Sequence, residues 1–490
     1  MVGIITKPAH PKRELGDTER YCLTFFLSYN LHAMPPVSRF QKQKINTFDS
    51  FLEFANGGKE PGWPQEIILE MGNVCNLKCE MCPKVLMPHF QHQQPQFTDL
   101  GLLKPPFASV LPYALTVQLV GCGEPTLHPQ FFSYLDYLSD FEVLIDFYTN
   151  GMQLDRQFCD SVVSRRVFSV TVSFSGSTPA QYENIYRGGK FDQVLKGMKL
   201  LGQAKQRYRS PFPLLIVNSI SFQRHVDTLC DFIDLMADQG VQRIQLSNLV
   251  AFTDNPTIHD QIAVCRTWKE SKILQKAKER AARAGICLDT SRFENAPVQS
   301  KTLVKSAREQ FNLTRSNQTH ARATKAQMDC LEPYIQFACS KDMETKPCCF
   351  MYHEVSFGNL NFQSVQELWQ NPRWKGFRKR ILTTPVPSFC ETCVRIKNRI
   401  TNHHVHEKYK DYSEWFEFNF GKPFYPAAKE RIETLPDSEK IVEKRIALTM
   451  STPSKRSSGE PNGFQKALSS FQETHPLERT PFPAQPALNN

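Results

Sequence analysis

Strand-like and helix-like patterns alternate along the middle of this 490-residue chain, which predicts an α/β fold with a parallel sheet wound by right-handed crossovers. Six strand-helix units can be counted, too few to close an eight-unit barrel, so an open, partial (β/α)6 barrel is expected over residues 65–290. A small α+β unit follows at 329–398, beyond a polar, Ser-, Thr-, Lys- and Arg-rich linker at 291–328.

Residues 1–64 form an N-terminal extension, with a helix expected over Phe48 to Ala55. Glu66 to Glu70 (EIILE) then reads as a short buried strand that runs straight into a cysteine loop. The same arrangement repeats: Leu115 to Val120 is followed by GCGEPTLHP, Val143 to Tyr148 by TNG, and Val167 to Ser173 by FSGS. Leu214 to Ser221 and Ile244 to Ser247 complete the six, and Gly285 to Leu288 makes one last short strand. Between them, Phe131 to Leu138, Phe191 to Ala204 and Val226 to Ala237 carry apolar residues at helical spacing, and Ala251 to about Ala284 is helical and charged. Polar loops thus gather at the C-terminal ends of the strands, where barrels of this kind carry their chemistry.

The cysteine loop reads GNVCNLKCEMCP, with Cys75, Cys79 and Cys82 in a C-x3-C-x2-C array. Thiolates so close together suit a soft metal centre, zinc or iron-sulfur. A structural zinc or a ferredoxin-type cluster takes four protein ligands, so this array is one short. A missing ligand leaves a position open for a reactant, which favours catalysis over bracing. The alternative is a zinc knuckle or an accidental cluster.

CNLKCEMCP resembles the signature of radical S-adenosylmethionine (SAM) enzymes, with Met81 where that family usually has an aromatic residue. The resemblance implies a [4Fe-4S] cluster on Cys75, Cys79 and Cys82, whose fourth iron is chelated by the amino and carboxylate groups of SAM. It also implies the partial barrel known as the radical SAM fold. Gly121-Cys122-Gly123-Glu124 is similar to the family's Gly-Gly-Glu motif, with Cys122 in place of the first glycine. Gly123 and Glu124 are then expected at the amino group of SAM, where a carboxylate pairs with an ammonium. By the same resemblance Asn150 and Ser173 are expected at the ribose and methionine carboxylate. Ser175 stands where an Asp is usual, which weakens its part. Arg187, before a glycine pair and a helix, is expected to fork onto the SAM carboxylate. A turn, a solvated acid and a surface ion pair are the ordinary alternatives for these positions. Asn218, Ser247 and Asn248 are weaker candidates for facing substrate or adenine.

Cys330, Cys348, Cys390 and Cys393 form a second constellation, in which two strands joined by a turn around Lys341 and Asp342 would set Cys330 beside Cys348. Spacing alone leaves zinc and iron-sulfur both open. With the GNL and Glu-Leu-Trp of its helix, the segment resembles the SPASM/twitch extension of radical SAM enzymes, which implies an auxiliary [4Fe-4S] cluster. Cys339 and Cys349 are alternative ligands. Cys22, Cys159, Cys230, Cys265 and Cys287 lack partners at ligand spacing and are expected to be buried. His403, His404 and His406 are read as surface residues. An aromatic-rich extension at 399–434 is expected to pack on the body, and 435–490 to be a disordered tail.

Fifteen cysteines, odd in number and clustered, argue against a secreted disulfide framework and for a reducing compartment. The net charge of +10 is spread along the chain without a basic stripe, so nucleic acid is not the expected partner. No long apolar run suggests a membrane span, and the expected location is the cytoplasm. The implied activity is reductive cleavage of SAM to a 5'-deoxyadenosyl radical that abstracts hydrogen from a substrate, with electrons from a donor such as ferredoxin or flavodoxin. A peptide or protein substrate is preferred. The alternatives are oxidation of a small molecule such as an amino sugar, and a non-catalytic iron-sulfur protein for electron transfer or sensing.

Overall fold

The computed structural model describes residues 42, 43, 46, 47, 50, 60–249, 261, 268–290, 330, 332–348 and 356–381. The linker at 291–328, the extension at 399–434, the tail at 435–490, the three histidines and Cys22, Cys265, Cys349, Cys390 and Cys393 lie outside them. So does the helix expected over Phe48 to Ala55, apart from Ser50.

The sheet is built from β1 (Glu66–Leu69), β2 (Thr116–Leu119), β3 (Leu144–Thr149), β4 (Ser169–Ser173), β5 (Leu214–Ser221), β6 (Arg243–Asn248), β7 (Cys287–Asp289), β8 (Gln336–Cys339) and β9 (Thr345–Lys346). They lie in the order β7-β6-β5-β4-β3-β2-β1-β8-β9. Neighbours from β7 through β8 are parallel; β8 and β9 form an antiparallel pair. The expected strands are all present, with no end displaced by more than two residues.

Alternation along the strands explains which face is covered. Ile67, Val117, Ile145, Phe147, Val170, Val172, Val217 and Ile244 are buried in one apolar cluster with Leu135, Val162, Met198 and Ile233 of the crossover helices. Each such side chain contributes about 1.5–3 kcal/mol by leaving water. The intervening positions carry Gln118, Asp146, Tyr148, Ser173, Asn218, Gln245 and Ser247. A parallel sheet packed on both faces is usually apolar on both; here the second face mixes these polar residues with the buried Ile68, Leu144 and Ile216.

Local sequence sets the helix starts. Asp155 caps Arg156–Ser164 by accepting from Phe158 N at 2.7 Å, and Thr178, followed by Pro179, caps Pro179–Ile185. Ser364 and Glu367 form a reciprocal capping box on Val365–Trp369. Gly197 lets Phe191–Arg207 press onto Leu154, whose Cβ lies 2.7 Å from where an alanine's would be.

The second unit is not separate from the barrel. β8 lies parallel beside β1, with Gln65 N donating to Ile335 O at 2.8 Å and Glu70 N to Cys339 O at 3.0 Å. Without β8, β1 would be an edge strand with unpaired backbone groups. Phe337, stacked on Trp374 at 5.5 Å and near Phe107 at 6.1 Å, carries the barrel core into this region.

Candidate active site and metal centres

The cysteine loop leaves β1 at the C-terminal mouth of the sheet and is held by backbone bonds from three directions. Lys78 N donates to Arg187 O and Glu80 N to Ile185 O, both at 2.9 Å, so the C-terminal end of Pro179–Ile185 and the residues just after it hold the loop. Glu124 N donates to Val74 O at 2.7 Å. Asn73 Oδ1 accepts from Gln96 N at 2.7 Å, Lys84 Nζ donates to Asn73 O, and Arg224 pairs with Glu80. Gly123 is required by this contact: a Cβ there would fall 2.4 Å from Gly72 O and 2.8 Å from Val74 O.

The three thiols are partly buried and close enough to act on one another electrostatically. Burial pushes Cys75, Cys79 and Cys82 above the usual thiol range, and at Cys79 the charges of Cys82 and Cys75 add to it. A metal that binds such thiols has to displace their protons. Among the described residues, no three His, Cys, Asp or Glu side chains converge as ligands of a single ion would, and no cysteine is in a disulfide.

Glu124 is buried, and its carboxylate organises the loops around it. Oε1 accepts from Thr126 Oγ1 at 2.6 Å, Thr149 Oγ1 at 2.7 Å and Thr126 N at 3.2 Å, while Oε2 accepts from Asn150 N at 2.7 Å. Burial raises its pKa against the pull of those donors. One acceptor position is left, on Oε2. Asn150 in turn donates from Nδ2 to Asn76 Oδ1 at 2.7 Å, so the end of β3 holds the cysteine loop through a side-chain pair. The expected residues Gly123, Glu124 and Asn150 therefore sit together against the cysteine loop. The sequence offered no sign of Asn76.

Arg187 meets the loop through its carbonyl and leaves its side chain exposed. Ser173 ends β4 in register with Asn218 of β5. Asn218 and Ser247 are bonded to each other, Ser247 Oγ to Asn218 Oδ1 at 3.0 Å. Ser175 is used inside the fold: its buried hydroxyl accepts from Ile220 N at 2.9 Å and pairs with Tyr186 Oη at 3.0 Å.

The expectation for the isolated cysteines holds for Cys159, which is buried; Cys230 is half-buried and Cys287 is exposed. Cys287 opens a three-residue edge strand, which covers little of its own length. In the second constellation the hairpin ladder is limited to Ala338↔Lys346 and Cys339↔Thr345. It does not itself pair Cys330 with Cys348, because Glu332–Ile335 forms a helical turn before β8 begins.

Glu70, one residue past β1, escaped attention in the sequence. It is buried, and its Oε1 accepts from Cys122 N at 2.9 Å and its Oε2 from Lys341 N at 3.1 Å. It thus ties the Gly121–Glu124 loop to the turn of the β8–β9 hairpin. Gly121 is required here, since its Cβ would fall 2.4 Å from Glu70 Cγ. The available signal was an acid directly after the apolar run Ile67 to Leu69.

Residues 330–394 match the family model of an iron-sulfur cluster-binding domain, SPASM. The mycofactocin maturase MftC of Mycobacterium tuberculosis is 26% identical over 121 residues, 25% of this chain and 29% of that protein. A GTP 3',8-cyclase of Mannheimia succiniciproducens is 25% identical over 218 residues, 42% of this chain and 62% of the relative. The chain therefore spans under a third of the length of the maturase and under two thirds of that of the cyclase. Among solved structures, Streptococcus suis SuiB bound to the precursor peptide SuiA has a TM-score of 0.51 at 13% identity, covering 78% of this chain and 82% of that one. SuiB bound to S-adenosylmethionine gives 0.50 over 78% and 81%. At that identity the likeness is one of fold. Among the described residues no helix is long and apolar enough to cross a membrane.

Proposed function

We propose that this chain, a radical SAM protein with a C-terminal SPASM domain, is an enzyme that modifies a peptide or protein after abstracting hydrogen from it. The observation that carries this reading is the grouping of Cys75, Cys79 and Cys82 around the Glu124 network at the mouth of the parallel sheet.

When bound, a [4Fe-4S] cluster and S-adenosylmethionine supply a 5'-deoxyadenosyl radical, and an auxiliary [4Fe-4S] cluster supplies a further redox centre. The chain's residues hold and orient these groups. Cys75, Cys79 and Cys82 ligate the first cluster and leave one position for SAM. Gly123 and the remaining acceptor on Glu124 would receive the amino group, the exposed Arg187 would pair with the carboxylate, and Asn150 and Ser173, at the strand ends, would contribute hydrogen bonds. Cys330, Cys348, Cys390 and Cys393 hold the auxiliary cluster. An electron donor of the ferredoxin or flavodoxin type completes the system. A peptide substrate is supported by the precursor peptide bound to SuiB and by the maturase name of MftC.

The test is anaerobic reconstitution with iron and sulfide, followed by SAM and dithionite. Wild type should hold about eight irons and release 5'-deoxyadenosine, and Cys79→Ala should release none. Deoxyadenosine that rises with a peptide digest, and not with amino sugars, supports the peptide substrate. No deoxyadenosine, together with no change in the cluster's EPR spectrum on adding SAM, sinks the proposal.

A further inference from the structure

His128, in the turn that follows Glu124, is buried, and both its ring nitrogens are in use. Nδ1 lies 2.9 Å from Gln130 N, which can only donate, so Nδ1 accepts and the ring hydrogen sits on Nε2. Nε2 then donates to Thr98 O at 2.8 Å. Burial holds the ring below the usual histidine range, against the Thr98 bond and the charge of Asp99, so it is neutral near pH 7. Tyr134 Oη donates to the same carbonyl at 2.8 Å, which fills both its lone pairs.

Thr98 carries that contact to the cysteine loop. Phe97 bridges antiparallel to Gly72, where the chain passes from β1 into the loop. Thr98 N donates to Met71 O at 2.9 Å, Asn73 N to Gln96 O at 3.0 Å, and Thr98 Oγ1 to Glu70 O at 3.1 Å. On the opposite side His128 closes the turn that Glu124 opens: Leu127 N donates to Glu124 O at 3.1 Å and His128 N to Pro125 O at 3.0 Å. One imidazole thus joins the Glu124 turn to the backbone that leads into the three thiols.

We propose that His128 is a positioning residue, which sets the entrance of the cysteine loop against the Glu124 turn and so fixes how Cys75, Cys79 and Cys82 stand relative to that carboxylate. The inference rests on the reading of this site as the one that takes SAM. Two variants separate the two bonds of the ring. In His128→Asn the shorter side chain can still accept from Gln130 N but stops short of Thr98, whereas in His128→Gln the amide extends to the place of Nε2 and can donate there. Hydrogen exchange of the full chain is read by mass spectrometry, before any iron is added, at the peptides that carry the Asn73 and Thr98 amides. His128→Asn should exchange there about fivefold faster than wild type, the weight of one hydrogen bond, and His128→Gln at close to the wild-type rate. After anaerobic reconstitution, SAM affinity measured by calorimetry should follow the same order, about fivefold weaker in His128→Asn and near wild type in His128→Gln. Unchanged exchange in His128→Asn overturns the tether. Faster exchange with unchanged SAM affinity overturns the positioning role. A reconstituted wild type that binds no SAM overturns the SAM reading instead, and the exchange result, obtained without iron, tells that failure from the other two.

Discussion

The two cysteine-bearing regions are built in opposite ways. Around Cys75, Cys79 and Cys82 the ligands sit within one short loop, and the rest of the barrel closes on that loop. Ile185 and Arg187 bond its backbone from one side, Glu124 from another, and Asn150 reaches its Asn76. At the β8–β9 hairpin the chain borrows its order from the sheet, through β1 and Glu70, while its candidate ligands Cys330 and Cys348 stand outside the short ladder. The first region is a local motif made rigid by its neighbours, and the second is an extension of a sheet edge. Under the proposed function this difference suits a division of labour, in which the first centre would hold a reactant in fixed geometry and the second would only accept charge.

The sharpest way to break the comparison is to remove one ligand from each region. Cys79→Ala should abolish SAM cleavage and lower the iron content by about four atoms per chain. Cys348→Ala should lower iron by a similar amount yet leave deoxyadenosine formation measurable when dithionite supplies the electron. Equal loss of deoxyadenosine in both variants would mean that the two regions are not separable.

Glu124 comes next. Glu124→Ala removes the acceptor for Asn150 N, Thr149 Oγ1 and Thr126 in a buried setting. An unsatisfied buried donor costs about 1–3 kcal/mol. Thermal unfolding should therefore begin several degrees lower, and SAM affinity should fall with it. Glu124→Gln fills the same space but presents an amide NH2 to one set of donors, so it should recover only part of the loss. Full recovery would mean that the network is steric rather than electrostatic.

How legible each region was follows from the same contrast. The cysteine loop, Gly123, Glu124 and Asn150 were readable because each lies in a short stretch whose residue types limit what it can do: thiols in close array, a small residue before an acid, a polar turn after a strand. The six barrel strands were readable from apolar runs bounded by turns, and β5 was placed to its residue limits. What escaped was set by distant partners. That β8 joins β1 depends on pairing between residues far apart in sequence, which no local pattern encodes. Glu70 and Asn76 are single polar residues whose importance lies wholly in what they meet. Cys287 was misjudged because its strand is a three-residue edge, where an apolar residue need not be covered.

Glu70 offers a milder break, aimed at the seam between the two regions. Glu70→Ala leaves Cys122 N and Lys341 N without their acceptor, a destabilisation of about 2 kcal/mol if both relax in part. Because Cys122 N belongs to the Gly121–Glu124 loop, SAM affinity should fall as well. Iron content should stay near the parent value, since no thiol is removed. Loss of iron from the first region would show that the loop depends on the hairpin for its shape.

Arg187 gives the smallest effect and separates backbone from side chain within one residue. Its carbonyl accepts from Lys78 N and helps hold the cysteine loop, whereas its side chain is exposed. Arg187→Ala keeps the carbonyl, so unfolding temperature and iron content should match wild type. If the guanidinium meets the carboxylate of SAM, affinity for SAM should drop by up to about tenfold, the equivalent of about 1.4 kcal/mol. Lysine cannot fork onto a carboxylate, so Arg187→Lys should recover the charge and only part of the affinity. Titration calorimetry with SAM on the reconstituted variants reads this directly. Unchanged affinity in Arg187→Ala would assign the residue to the loop through its backbone alone.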